Sequence, residues 1–113
     1  MLTLQYIQQD SVFLTLIENS SAYLRARGYT DHGLRHVSYV SKTTARILED
    51  LGFDDRTVEL GAIAGYLHDI GNLINRKHHS ISGATIVYSE LRRLGMDVEE
   101  ICSITTAIGN HEE

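Results

Sequence analysis

The sequence contains no proline and no tryptophan, and its single cysteine is Cys102. At average usage, a chain of 113 residues would carry about five or six prolines. Because proline interrupts helices, its absence fits long helices joined by glycine and polar turns. One cysteine cannot form an intramolecular disulfide, so a disulfide-stabilised scaffold is excluded.

Long apolar runs and an excess of positive charge are also missing. No apolar run approaches the roughly 20 residues that a membrane-spanning helix needs, and the N-terminal region lacks the basic start and apolar centre of a signal peptide. We therefore expect no membrane partner and a cytoplasmic location. The net charge of -5 argues against an extended nucleic-acid surface, although bound metal ions could create a local cationic pocket.

The spacing of apolar residues predicts an all-α protein of about five helices in a single domain spanning residues 1–113. A break near Ser20-Ser21 is an alternative within the first helix, and Thr30-Asp31 is a start signal for the second. No segment shows sustained alternation, so a sheet is not expected. The predicted helices run roughly over Leu4–Arg27, Gly33–Asp50, Asp55–Ile70 and Ser80–Leu94, with a fifth beginning after Met96-Asp97.

Four of the six histidines lie on the apolar face of their own helical segment, namely His36, His68, His79 and His111. A single histidine in such a position is usually a core residue with a hydrogen-bond partner. Four of them from four segments, one followed directly by Asp69, are harder to explain that way, because buried imidazoles and a buried carboxylate need partners. A metal ion would provide one by accepting their lone pairs.

His68 and Asp69 lie in a longer string, YLHDIGN at residues 66–72. This string of apolar residues, His-Asp, isoleucine and glycine resembles the HD-domain superfamily of metal-dependent phosphohydrolases. The resemblance extends roughly from Thr30 to the end of the chain and implies an HD-domain-like helical bundle. The other motifs that carry it are HGLRHV at residues 32–37, HSISGA at 79–84 and IGNHE at 108–112.

The resemblance implies a set of metal ligands. His36, His68 and Asp69 would bind one divalent ion, and Asp69, His79 and His111 would bind a second, with Asp69 as the bridge. His68 and Asp69 would be the catalytic residues. Iron or manganese is favoured by the resemblance, while zinc, cobalt and nickel also suit ligation by imidazole and carboxylate.

The implied reaction is hydrolysis of a phosphomonoester, phosphodiester or phosphoanhydride, with a nucleotide expected as substrate, by a metal-activated hydroxide. Arg76 and Lys77 lie on a predicted loop, where they would capture phosphate or form a solvated turn. Asn72 stands where the cyclic-dinucleotide phosphodiesterase branch has a lysine, and that branch's Gly-Tyr-Pro motif is absent. The chain is therefore placed among the general dinuclear HD phosphohydrolases, and homo-oligomerisation stays open.

The chain ends at Glu113, whereas the family continues into a helix that supplies a further aspartate ligand. We expect a C-terminal segment to be missing from the domain. The apolar faces of Ile101, Ile104 and Ile108 would then be incompletely covered, and Glu112 or Glu113 could replace the missing ligand.

Two alternatives from other classes are kept. The chain could be a non-catalytic HD-related module that regulates or binds another protein. It could also be a helical bundle whose histidines are incidental. Binding of stoichiometric metal separates the phosphohydrolase from both.

Overall fold

The computed structural model describes residues 1–29 and 33–111, and over these residues it is all-helical, as predicted. The described part contains six α-helices and one short 3-10 helix at Ile70–Leu73. The α-helices are α1 at Leu4–Gln9, α2 at Ser11–Ala26, α3 at Leu34–Asp50, α4 at Asp55–Leu67, α5 at His79–Arg93 and α6 at Val98–Gly109.

Short polar side chains begin four of these helices. The side chains of Thr3, Asp10, Asp54 and Asp97 each accept a backbone N–H from the first turn of α1, α2, α4 and α6. Glycines end three helices in the left-handed conformation that favours glycine: Gly28 after α2, Gly52 after α3 and Gly95 after α5. The local sequence therefore fixes most helix ends.

The predicted first helix is two helices in the structure, and the break is at Asp10 and not near Ser20-Ser21. Asp10 has an extended backbone, and its carboxylate accepts the N–H of Phe13 at 3.0 Å, which starts α2. Ser20 and Ser21 lie inside α2 and are buried. The predicted third helix also ends earlier, at Leu67, because the chain turns into the 3-10 helix after the His-Asp pair.

Helix α4 lies at the centre of the fold, and the stretch Ala62–Leu67 is buried along its whole length. It packs against α1, α3 and α6, while α5 packs against α6 and the 3-10 helix. Ile101, Ile104 and Ile108 are at most 1% exposed. The expectation that these three side chains would be incompletely covered is therefore wrong, since α6 packs its apolar face onto α4 and α5.

None of the helices in the described ranges is long and apolar enough to span a membrane. The predicted start signal at Thr30-Asp31, together with His32, lies outside the described residues, as do Glu112 and Glu113.

Candidate metal centre

The fold brings all five predicted ligand residues to one place. His36 lies in the first turn of α3, and His68 is the C-cap of α4. Asp69 follows it and begins the 3-10 helix, His79 is the first residue of α5, and His111 lies just beyond the end of α6. All five come from helix ends, where side chains can turn toward a common centre.

The two carboxylate oxygens of Asp69 face different histidines. Oδ2 lies 3.4 Å from Nε2 of His36 and 3.4 Å from Nε2 of His68. Oδ1 lies 3.5 Å from Nε2 of His79 and 3.9 Å from Nε2 of His111. We call the group of His36, His68 and Asp69 the first half-site, and the group of Asp69, His79 and His111 the second half-site. In each group, ligand atoms lie within 4.8 Å of one another.

Backbone carbonyls fix the tautomer of three of these histidines. In His68, Nδ1 lies 2.7 Å from the carbonyl oxygen of Gly65. In His79, Nδ1 lies 2.9 Å from the carbonyl oxygen of Arg76. In His111, Nδ1 lies 2.6 Å from the carbonyl oxygen of Ile108. A carbonyl oxygen only accepts, so each Nδ1 must carry the proton and donate it. In the neutral imidazole, each Nε2 then presents its lone pair on the side of Asp69, which is the arrangement of a histidine ligand whose other nitrogen is held by the protein.

The contact between His79 and His111 tests whether a cation fits. Their Nε2 atoms are 2.9 Å apart, and both are lone-pair acceptors in the tautomers that the carbonyls select. Two facing lone pairs at this distance repel unless a positive species lies between them. Two ligands at right angles around an ion with metal–ligand bonds of about 2.1 Å are about 3 Å apart. The donor geometry therefore suits a divalent metal ion.

Much of this cluster is buried, and burial favours the ligand form of His68. Asp69 is 5% exposed and His79 is 4% exposed. Burial lowers the pKa of His68, and although the charge of Asp69 works in the opposite direction, the net shift is downward. The neutral imidazole of His68 is therefore favoured, and only the neutral imidazole can bind a metal.

The two predicted phosphate-binding residues differ in their surroundings. Lys77 is exposed. Arg76 is partly buried: its guanidinium donates to Oδ1 of Asn72 at 3.2 Å and lies 5.5 Å from the centre of the Tyr29 ring. Its backbone carbonyl also orients His79. The structure thus places Arg76 beside the second half-site, whereas Lys77 faces solvent.

Residues that sequence reasoning missed hold the His-Asp turn in place. Asn72 is fully buried, and its amide donates to the Asp69 carbonyl at 2.9 Å. The Ser20 hydroxyl on α2 donates to the Ile70 carbonyl at 2.9 Å. The string YLHDIGN includes Asn72, so its position next to the motif was a usable signal, but nothing in the sequence pairs Ser20 with residue 70.

An apolar groove of about 340 Å³ lies beside the metal centre, between α3, α4 and α6. His68 and His111 contribute to its wall. Its other lining includes small and apolar residues: Val40, Leu48, Gly61, Ala64, Ala107 and Ile108.

The sequence matches the family described as HD domain over residues 33–112. This match covers more than half of the chain, so the protein belongs to the HD-domain family. The family is commonly hydrolytic, and membership suggests a metal-dependent phosphohydrolase. Comparisons with curated proteins and with solved structures gave no significant match.

Proposed function

We propose that this protein is a phosphohydrolase that holds two divalent metal ions, one in each half-site, with Asp69 as the bridging ligand. The observation that carries the proposal is that the two carboxylate oxygens of Asp69 face different pairs of histidines. One buried carboxylate turns Oδ2 toward two imidazoles and Oδ1 toward two others. Iron or manganese is the proposed pair, with zinc, cobalt and nickel as alternatives.

The protein's own groups would orient the metal ligands. The carbonyls of Gly65, Arg76 and Ile108 hold three imidazoles with Nε2 pointing inward, so little reorganisation is needed when a metal binds. His68 and Asp69 are the proposed catalytic residues. When bound, the metals would lower the pKa of water to give a nucleophile and neutralise charge on the phosphoryl oxygens.

The proposed substrate is a small phosphorylated molecule, with a nucleotide as the favoured class. Its phosphate would lie at the metal centre, near Arg76 and within reach of Lys77 from solvent. The apolar groove wall that includes His68 and His111 would contact the organic part. The groove volume of about 340 Å³ lies near the lower end of the range for small-molecule sites, which are mostly apolar with few polar groups.

The test is a panel of phosphomonoesters, phosphodiesters and nucleotides, assayed with protein stripped by a chelator and reloaded with each metal in turn. We expect hydrolysis that depends on manganese or iron and that is lost in His68→Ala. The matched control is His78→Asn. His78 is an exposed histidine next to the second half-site, in a left-handed conformation that asparagine tolerates. The control should retain activity.

A chain that binds two metals yet hydrolyses no member of the panel would support the non-catalytic module in place of the enzyme. If the protein contains no stoichiometric metal after purification and binds none on reloading, the proposal is wrong altogether.

A further inference from the structure

Gly71, in the 3-10 helix after the His-Asp pair, lies against the backbone of His79. A Cβ atom added at Gly71 would lie 1.7 Å from the His79 carbonyl oxygen and 2.6 Å from the backbone nitrogen of Gly83. Real Cβ atoms essentially never approach a neighbour closer than 3.0 Å. Any side chain at this position would therefore push the start of α5 and the 3-10 helix apart by more than about 1 Å.

The two sides of this contact are not held equally. The 3-10 helix is anchored from below: Ile70 is 1% exposed and its carbonyl accepts from Ser20, while Asn72 is fully buried and bonds back to Asp69. The start of α5 follows a loop that passes through the left-handed residue His78, and Asn75, Lys77 and His78 in that loop are exposed. A side chain at residue 71 would therefore displace His79 more than Asp69.

We propose that Gly71 is a positioning residue that brings His79 within reach of Asp69 and so sets the geometry of the second half-site. This inference rests on the proposed two-metal function. Metal–ligand distances tolerate about ±0.2 Å, so a displacement of His79 of more than about 1 Å is too large for the second site. The two histidines of the first half-site, His36 in α3 and His68 at the end of α4, are not among the neighbours that a Cβ at Gly71 would meet first, so the first half-site should keep its metal.

A series of three glycine-to-alanine variants tests this, because the added Cβ meets a graded obstacle. At Gly71 the nearest atom is at 1.7 Å, at Gly83 it is Gly71 nitrogen at 3.1 Å, and at Gly109 it is the Ala84 Cβ at 3.7 Å, an ordinary contact. Gly109 is the matched control, since it lies two residues before His111. The readouts are bound manganese or zinc per chain after titration, and thermal unfolding of the metal-free protein.

We expect wild type and Gly109→Ala to bind two metals per chain, and Gly71→Ala to bind one. Gly83→Ala should bind the second metal about tenfold more weakly and the first unchanged, an effect in the range seen when support of a ligand is lost. Gly83→Ala carries the test if Gly71→Ala does not fold. A general loss of stability would not produce this pattern, because it would weaken metal binding at both half-sites together.

Two results overturn the inference in distinguishable ways. If wild type binds fewer than two metals, the proposed two-metal function fails and the inference fails with it. If wild type binds two and both Gly71→Ala and Gly83→Ala also bind two with unchanged affinity, the proposed function stands and the positioning role of Gly71 is wrong.

Discussion

The two halves of the candidate metal centre share Asp69 but are built by different means. The first half-site joins the start of α3 to the end of α4, two helices packed side by side. The second half-site joins a 3-10 helix, the first residue of α5 and the residue beyond the C-cap of α6. The His36 side chain is 31% exposed, whereas that of His79 is 5% exposed.

Glycine permits the close approach in both halves, at different severity. In the first, a Cβ at Gly65 on α4 would lie 3.1 Å from the Ser41 Cα on α3. In the second, a Cβ at Gly71 would overlap the His79 carbonyl. The spacing of the first half-site therefore depends on helix packing that can adjust by a few tenths of an ångström, and that of the second depends on one backbone contact that cannot. We infer that the second half-site is the more easily lost.

The largest effect should come from the residue that the halves share. Asp69→Ala removes the carboxylate that faces both pairs of imidazoles, so we expect bound metal to fall toward zero and hydrolysis to fall below detection. Metal analysis of the purified variant checks this, with circular dichroism to establish that the helices persist. Unchanged metal content would show that Asp69 is not a bridge and that the halves are independent.

Single histidine changes should separate the halves. His36→Ala and His111→Ala remove ligands with comparable side-chain exposure, 31% and 23%, so neither leaves a large buried cavity. Each variant should bind one metal per chain, and the remaining ion should be the one in the untouched half. Equilibrium titration followed by a structure of each loaded variant would identify that ion. Loss of both metals in either variant would contradict the division into two half-sites.

Gly65→Ala should give a smaller effect, confined to the first half-site. The added methyl must push Ser41, and with it α3, by a few tenths of an ångström. We expect metal affinity at the first half-site to fall by a few-fold to about tenfold, with the second unchanged. The measurement is the same two-site titration used for the Gly71 series. Equal loss at both sites would mean that α3–α4 packing supports the whole centre.

The smallest effects should come from the loop that connects the 3-10 helix to α5. Arg76→Ala removes a guanidinium that is proposed to lie near the substrate phosphate, so we expect a raised KM. The change also removes the contacts of Arg76 with Asn72 and the Tyr29 ring, so we expect a modestly lower unfolding temperature. Lys77→Ala changes an exposed side chain and should alter stability by no more than about 0.5 kcal/mol. Comparing KM with kcat in the two variants tests both. A larger KM change in Lys77→Ala would assign phosphate capture to Lys77 instead.

The sequence itself carried the helical class, most helix ends and the identity of the clustered residues. Capping aspartates, glycines after helices and the YLHDIGN string are local signals, which depend only on residues that are close together in the sequence. The break at Asp10 was missed although Asp10-Ser11 is a capping pair, because the apolar pattern runs on through both helices.

Only the tertiary structure decided how the centre is arranged. The sequence predicted that His79 and His111 lie on apolar faces, but it did not predict that their Nε2 atoms lie 2.9 Å from each other. It also did not predict the hydrogen bond from Ser20 to the Ile70 carbonyl. It predicted poor cover for Ile101, Ile104 and Ile108, which the packing of α6 onto α4 and α5 buries. It also gave no sign that Gly71 meets the His79 backbone. These facts depend on contacts between residues distant in the chain, and periodicity reports only the face on which a residue lies.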